Sequence, residues 1–66
     1  MQALIGLKAK RKDKRLTREA LGRLVDISAK SIYQYEIGNR FPSSKNWEKL
    51  TKFFNCSIDE LITAEI

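Results

Sequence analysis

The sequence predicts an all-α fold, and three observations carry that prediction. Apolar residues recur at steps of three and four along most of the chain. Helix starts are marked by hydroxyl residues at Thr17, Ser28, Ser43 or Ser44, and Ser57. No stretch reads as a strand, and no repeat or low-complexity tract intervenes. Sixty-six residues make one small domain that buries only about 60% of its unfolded surface. One compact helical core is the most such a chain holds, so residues 1–66 are expected to fold as a single unit.

Residues from about Gln2 to Lys14 form the first predicted helix, with Ala3, Leu4, Leu7 and Arg11 on one side. Lys8, Lys10, Arg11, Lys12, Lys14 and Arg15 make a basic cluster relieved only by Asp13. Cations at a helix C-terminus suit its macrodipole, so most of this cluster reads as a solvated face. Thr17 caps a second helix, Arg18 to Val25, whose apolar stripe is Ala20, Leu21, Leu24 and Val25. Leu16 precedes the cap as the outer half of a hydrophobic staple. Gly22 inside this helix costs about 0.5 to 1 kcal/mol relative to alanine, which a close backbone approach would explain.

Asp26 and Ile27 separate that helix from the next, and aspartate tolerates the left-handed region better than most residues. The third helix spans residues 28–37, with Ser28 as N-cap and Gly38 as the residue that ends it. Ile32, Tyr35 and Glu36 share one side; Ala29, Lys30, Tyr33 and Gln34 share the other. One face packs and one is displayed. Two short helices joined this way form a helix-turn-helix, with the second as its reading helix.

Residues 38–43 form a turn, and Pro42 with Ser43 or Ser44 announces a fourth helix. Trp47, Leu50, Phe53 and Phe54 give it the strongest apolar stripe of the chain, and Asn55 ends it. That spacing assigns the aromatic residues to the core. Cys56 is a small core residue, and Ser57-Ile58-Asp59-Glu60 is a capping box opening a last short helix with Leu61 and Ile62 turned inward.

Charge and composition narrow the function. The net charge is +5. Through Arg40 there are ten Lys/Arg against four Asp/Glu, and from Phe41 onward three against four. The basic surplus thus lies in the half that holds the helix-turn-helix, where it attracts phosphate backbones, acidic proteins or anionic lipid alike. With one cysteine and no histidine, no intramolecular disulfide and no zinc site is possible, and no cofactor is implied. No apolar run reaches the roughly 18 residues of a membrane span, and no leader pattern opens the chain. The expectation is a cytoplasmic protein. Without histidine, an activated thiol or a glycine-rich phosphate loop, the sequence offers no enzyme chemistry and no small-molecule substrate.

Leu16-Thr17, Leu21-Gly22, Val25-Asp26-Ile27-Ser28, Ser31-Ile32, Tyr35-Glu36-Ile37-Gly38, Pro42-Ser43 and Cys56-Ser57-Ile58-Asp59-Glu60-Leu61 together resemble, in order and spacing, the Cro and phage-repressor-like helix-turn-helix domains. The resemblance to this family, also called the xenobiotic-response-element family, covers nearly the whole chain. It implies a five-helix bundle acting as a transcriptional regulator, a repressor or phage-type switch protein that binds a palindromic operator as a homodimer. It also implies that Ala29, Lys30 and Gln34, joined by Tyr33, meet base edges, and that Arg18 lies on a phosphate. Asn39, Arg40 and Ser43 or Ser44 then approach the second phosphate strand, while Arg11 and Glu36 form a buried ion pair. Arg15 and Asp26 stand where glycines are common in the family, which makes the two turns a point of departure. Lys10 replaces a usual apolar residue, which is expected to loosen the docking of the first helix.

The chemistry of these residues agrees with that assignment. Lys30 can donate to guanine O6 and N7, and Gln34 can make the paired donor and acceptor contact with adenine. Ala29 suits a thymine methyl, while Tyr33 suits that methyl or a phosphate. Arg18 at a helix N-terminus suits a phosphate and carries no base information. The competing function is a protein-interaction module of the same fold, an antitoxin-like or anti-repressor partner whose basic face meets an acidic protein. For dimerisation, Leu61, Ile62 and Ile66 offer an apolar C-terminal contact, with core packing an equal alternative for Leu61 and Ile62.

Overall fold

The computed structural model describes residues 2–63. Five helices follow one another: α1 (Ile5–Asp13), α2 (Arg18–Val25), α3 (Ala29–Ile37), α4 (Ser44–Phe54) and α5 (Ile58–Ile62). No strand occurs among the described residues. Leu4, Leu7, Leu21, Val25, Ile27, Ile32, Tyr35, Leu50 and Leu61 form one buried core to which every helix contributes. Leu16, Trp47, Phe53, Phe54, Cys56 and Ile62 pack against it half-buried. Leu61, offered above as a dimer contact, is fully buried in this core and so is closed to a partner, and Ile66 lies outside the described residues.

Four helices start on side-chain caps. Thr17, Ser28, Ser43 and Ser57 accept from the backbone N–H groups of Ala20, Ser31, Asn46 and Glu60 respectively. Each satisfies a donor that the helix leaves open. At Ser57 the box is complete, since Glu60 Oε1 also accepts from the Ser57 backbone at 3.1 Å. The first helix has no such cap, and it begins at Ile5 rather than near Gln2. The Leu4 N–H instead donates to the Tyr35 carbonyl of α3 at 3.0 Å, so a tertiary bond holds the entering segment outside the helix.

Both turns where glycine was missing keep the left-handed geometry. Arg15 has φ 57° and Asp26 φ 57°, and Asn55 closes α4 at φ 53°. For Arg15 that conformation costs about 1 to 2 kcal/mol. Lys10 does not loosen α1. It is half-buried and its Nζ lies 3.8 Å from Glu60 Oε2 on α5. One turn before it, Gly6 lets the two helices meet backbone to backbone, because a Cβ there would overlap the carbonyl oxygens of Glu60 and Thr63.

The stripe of α2 is narrower than its spacing suggests. Leu21 and Val25 are buried, but Leu24 is 60% exposed. Lying i+3 from Leu21, Leu24 falls on the rim of the stripe, with no helix packed over it. Gly22 sits where α2 meets the turn, and a Cβ on it would overlap the Ile27 carbonyl oxygen and touch the Ala29 nitrogen at 3.4 Å. The neighbour that demands glycine is therefore the turn backbone and the first residue of α3. That contact sets how closely α3 approaches α2.

Candidate nucleic-acid interface

The two sides of α3 are separated as its sequence pattern requires. Ile32, Tyr35 and Glu36 are buried, and Gly38 ends the helix in the left-handed region at φ 83°. On the outer side Lys30 is exposed, Tyr33 is 44% exposed, and Ala29 and Gln34 are half-exposed. These four lie on one helix face beside α2. On α3 no acidic residue lies in the first turn, so the positive end of the helix dipole is left uncompensated.

Beneath that face lies a charge network centred on one carboxylate. Arg11 Nε donates to Glu36 Oε2 at 2.7 Å, and the terminal guanidinium nitrogen Nη2 donates to Oε1 at 3.2 Å. The other, Nη1, donates to the Leu16 carbonyl at 2.7 Å. Arg18 Nε reaches the same Glu36 Oε1 at 2.9 Å. Glu36 and Arg11 are buried, whereas the Arg18 side chain stays one-third exposed. One carboxylate thus ties α1, α2 and α3 together. Such a buried charge is tolerated only when its partners are in place.

Arg18 therefore does more than its position at the head of α2 suggests. Its guanidinium carbon also lies 5.1 Å from the centre of the Tyr33 ring, a cation–π distance. This fixes the aromatic ring on the displayed face against the start of α2. Sequence reasoning did not find the Arg18–Glu36 pair, and no local signal announces a contact 18 residues apart.

The remaining candidates gather after α3. Asn39 and Arg40 are exposed. The backbone N–H groups of both donate to the Gln34 carbonyl, at 2.9 and 3.3 Å. The Asn39 side-chain amide donates to Gln34 Oε1 at 2.6 Å. Ser43 is exposed and its hydroxyl serves as the α4 cap, accepting from the Asn46 N–H at 3.3 Å. Two supporting residues went unread in the sequence. Lys49 of α4 donates to the Asp26 carbonyl at 3.0 Å, clasping the turn between α2 and α3. Asn46 donates to the Tyr35 hydroxyl at 3.0 Å, holding the base of α3 against α4.

Among the described residues no group of three or more His, Cys, Asp or Glu side chains is placed to hold a metal ion. Burial pushes the Cys56 thiol above its ordinary value, which disfavours the nucleophilic thiolate. No described helix is long and apolar enough to cross a membrane.

A helix capped at both ends, displayed beside a second helix across a three-residue turn, is the geometry of a DNA reader, and the comparisons agree. The helix-turn-helix family model matches residues 7–61. The chain belongs to the helix-turn-helix family. Its Cro/C1-type members are similar to it over almost the whole described structure. It is also 34% identical over 55 residues to the HTH-type transcriptional activator BcrR of Enterococcus faecalis. That match takes in 83% of this chain and 27% of the relative, so the chain spans about a quarter of the relative's length. No solved structure matches it.

Proposed function

We propose that this helix-turn-helix chain is a sequence-specific DNA-binding regulator of transcription, acting in the cytoplasm on a palindromic operator to which it binds as a homodimer. The observation that carries the reading is the outward face of α3, where Ala29, Lys30, Tyr33 and Gln34 stand together on a helix whose inner face is buried. Such a helix enters the major groove, where lysine suits the acceptors of guanine and glutamine suits adenine. Arg18, Arg40 and Ser43 flank that face and serve the phosphates, which fix register without reading sequence. The Enterococcus faecalis relative is named an activator. The sign of regulation thus follows from where the operator lies, and repression is the expected outcome where it overlaps the promoter.

The test is selection from a random duplex library, followed by affinity for the winning site and for bulk DNA at two salt concentrations. The expected result is a roughly palindromic site with half-sites about 10 to 10.5 base pairs apart, bound far above background. Binding that depends steeply on salt and prefers no sequence would reduce the face to its charge and refute operator recognition.

A further inference from the structure

Two hydrogen bonds join the same two residues at the end of the displayed face. The Asn39 backbone N–H donates to the Gln34 main-chain carbonyl at 2.9 Å, and the Asn39 side-chain amide donates to Gln34 Oε1 at 2.6 Å. An isolated bond between two exposed amides is readily exchanged for water. Here the first bond, with the left-handed Gly38 beside it, already holds Asn39 over the last turn of α3, so the second costs little further ordering. Gln34 Oε1 is thereby turned toward the loop. Because the two polar atoms of a carboxamide diverge from one carbon, Nε2 points away from Asn39 with both of its N–H donors unclaimed by any described residue.

We propose that Asn39 is a positioning residue for sequence readout, which holds the Gln34 carboxamide with its donors outward and so selects a base edge rich in acceptors. Guanine presents two acceptors, O6 and N7, in the major groove, whereas adenine offers N7 beside an amino group. A freely rotating glutamine would favour the paired contact with adenine; a glutamine whose oxygen is held by Asn39 favours guanine. This assigns Asn39 a task distinct from the phosphate contact expected of its position. It rests on the proposed DNA-reading function.

The test measures affinities of wild type, Asn39→Ala, Asn39→Asp, Gln34→Ala and the Gln34→Ala/Asn39→Ala double variant. Each is titrated against the selected site, all of its single-base variants and bulk DNA, at two salt concentrations. Gln34→Ala identifies the base pair that Gln34 reads, by a loss of discrimination of about 5- to 150-fold. Asn39→Ala is expected to lower discrimination at that same pair by about threefold or more, leaving bulk affinity and salt slope near wild type. In the Gln34→Ala background it should change nothing further at that pair. Asn39→Asp removes the donor and turns the glutamine around, so the preference should move toward adenine or cytosine, which present an amino group.

Equal weakening of Asn39→Ala on every sequence would overturn the assignment in favour of a phosphate contact. So would an unchanged base preference in Asn39→Asp. Both of those outcomes leave operator recognition standing, whereas a wild-type protein with no preferred site would bring down the DNA-reading function and this inference with it.

Discussion

Replacing Glu36 by alanine removes the one carboxylate that Arg11 and Arg18 share. Arg18 is partly exposed and can turn to water, but Arg11 is buried and loses two of its three charge-assisted bonds, at 2.7 and 3.2 Å. Breaking a buried pair from one side costs about 3 to 5 kcal/mol. A chain of this length has a total stability of roughly 3 to 10 kcal/mol. Glu36→Ala should therefore unfold the domain or lower its melting temperature by about 12 °C or more. Urea and thermal unfolding followed by circular dichroism measure this directly. A second variant separates stranded charge from lost packing. Arg11→Met with Glu36→Leu removes both charges, fills similar volume, and sacrifices the bond to the Leu16 carbonyl, worth about 1 kcal/mol. It should recover most of the loss. Glu36→Ala within about 0.5 kcal/mol of wild type, or a double variant as unstable as the single one, would refute the stranded-charge reasoning.

Other outcomes follow from the same geometry. Lys30→Ala and Gln34→Ala should leave melting nearly unchanged while each weakens the preferred site by about 1 to 3 kcal/mol, as read by titration against matched and mismatched duplexes. Gly22→Ala should destabilise by about 1 to 3 kcal/mol, since its Cβ must displace the Ile27 carbonyl at the turn that seats α3; urea unfolding would check it. Arg15→Gly should stabilise by up to about 1 kcal/mol by relieving a left-handed arginine, visible as a raised urea midpoint with an unchanged slope. Acid should weaken the α5 cap. Hydrogen bonds from the Ser57 backbone and hydroxyl, with Lys10 nearby, hold the Glu60 carboxyl below its ordinary value. Its contribution is present above the ordinary glutamate value, about pH 4.3, and is lost as pH falls through the lower folded value. Glu60→Gln should flatten the fall of melting temperature over that window.

What the sequence made legible was local. Thr17, Ser28 and Ser57 announce helices because a cap is a contact across three residues, and each forms the bond its chemistry suggests; between Ser43 and Ser44 the sequence does not choose, and Ser43 makes the cap. The start of α1 was misread because its boundary is set by a bond from Leu4 to Tyr35, far away in sequence. Leu24 was misread for a related reason, since spacing defines a stripe but not how far the neighbouring helices reach across it. At the candidate interface, the division of α3 into two faces could be read from periodicity. The link from Arg18 to Glu36 and Tyr33 could not, nor could the clasp of Lys49 on Asp26, because each depends on how separate helices cross.

The two-sided character of α3 bears on how such a protein changes over generations. Its inner residues carry the fold, through Ile32, Tyr35 and the shared carboxylate of Glu36, while Ala29, Lys30 and Gln34 carry no part of the buried core. Mutations at those outer positions are therefore close to neutral for folding, so the chemistry of that face can change without passing through unfolded intermediates. Tyr33 is the exception. Its ring rests against Arg18, whose charge answers Glu36, so change there is coupled to the buried charge network.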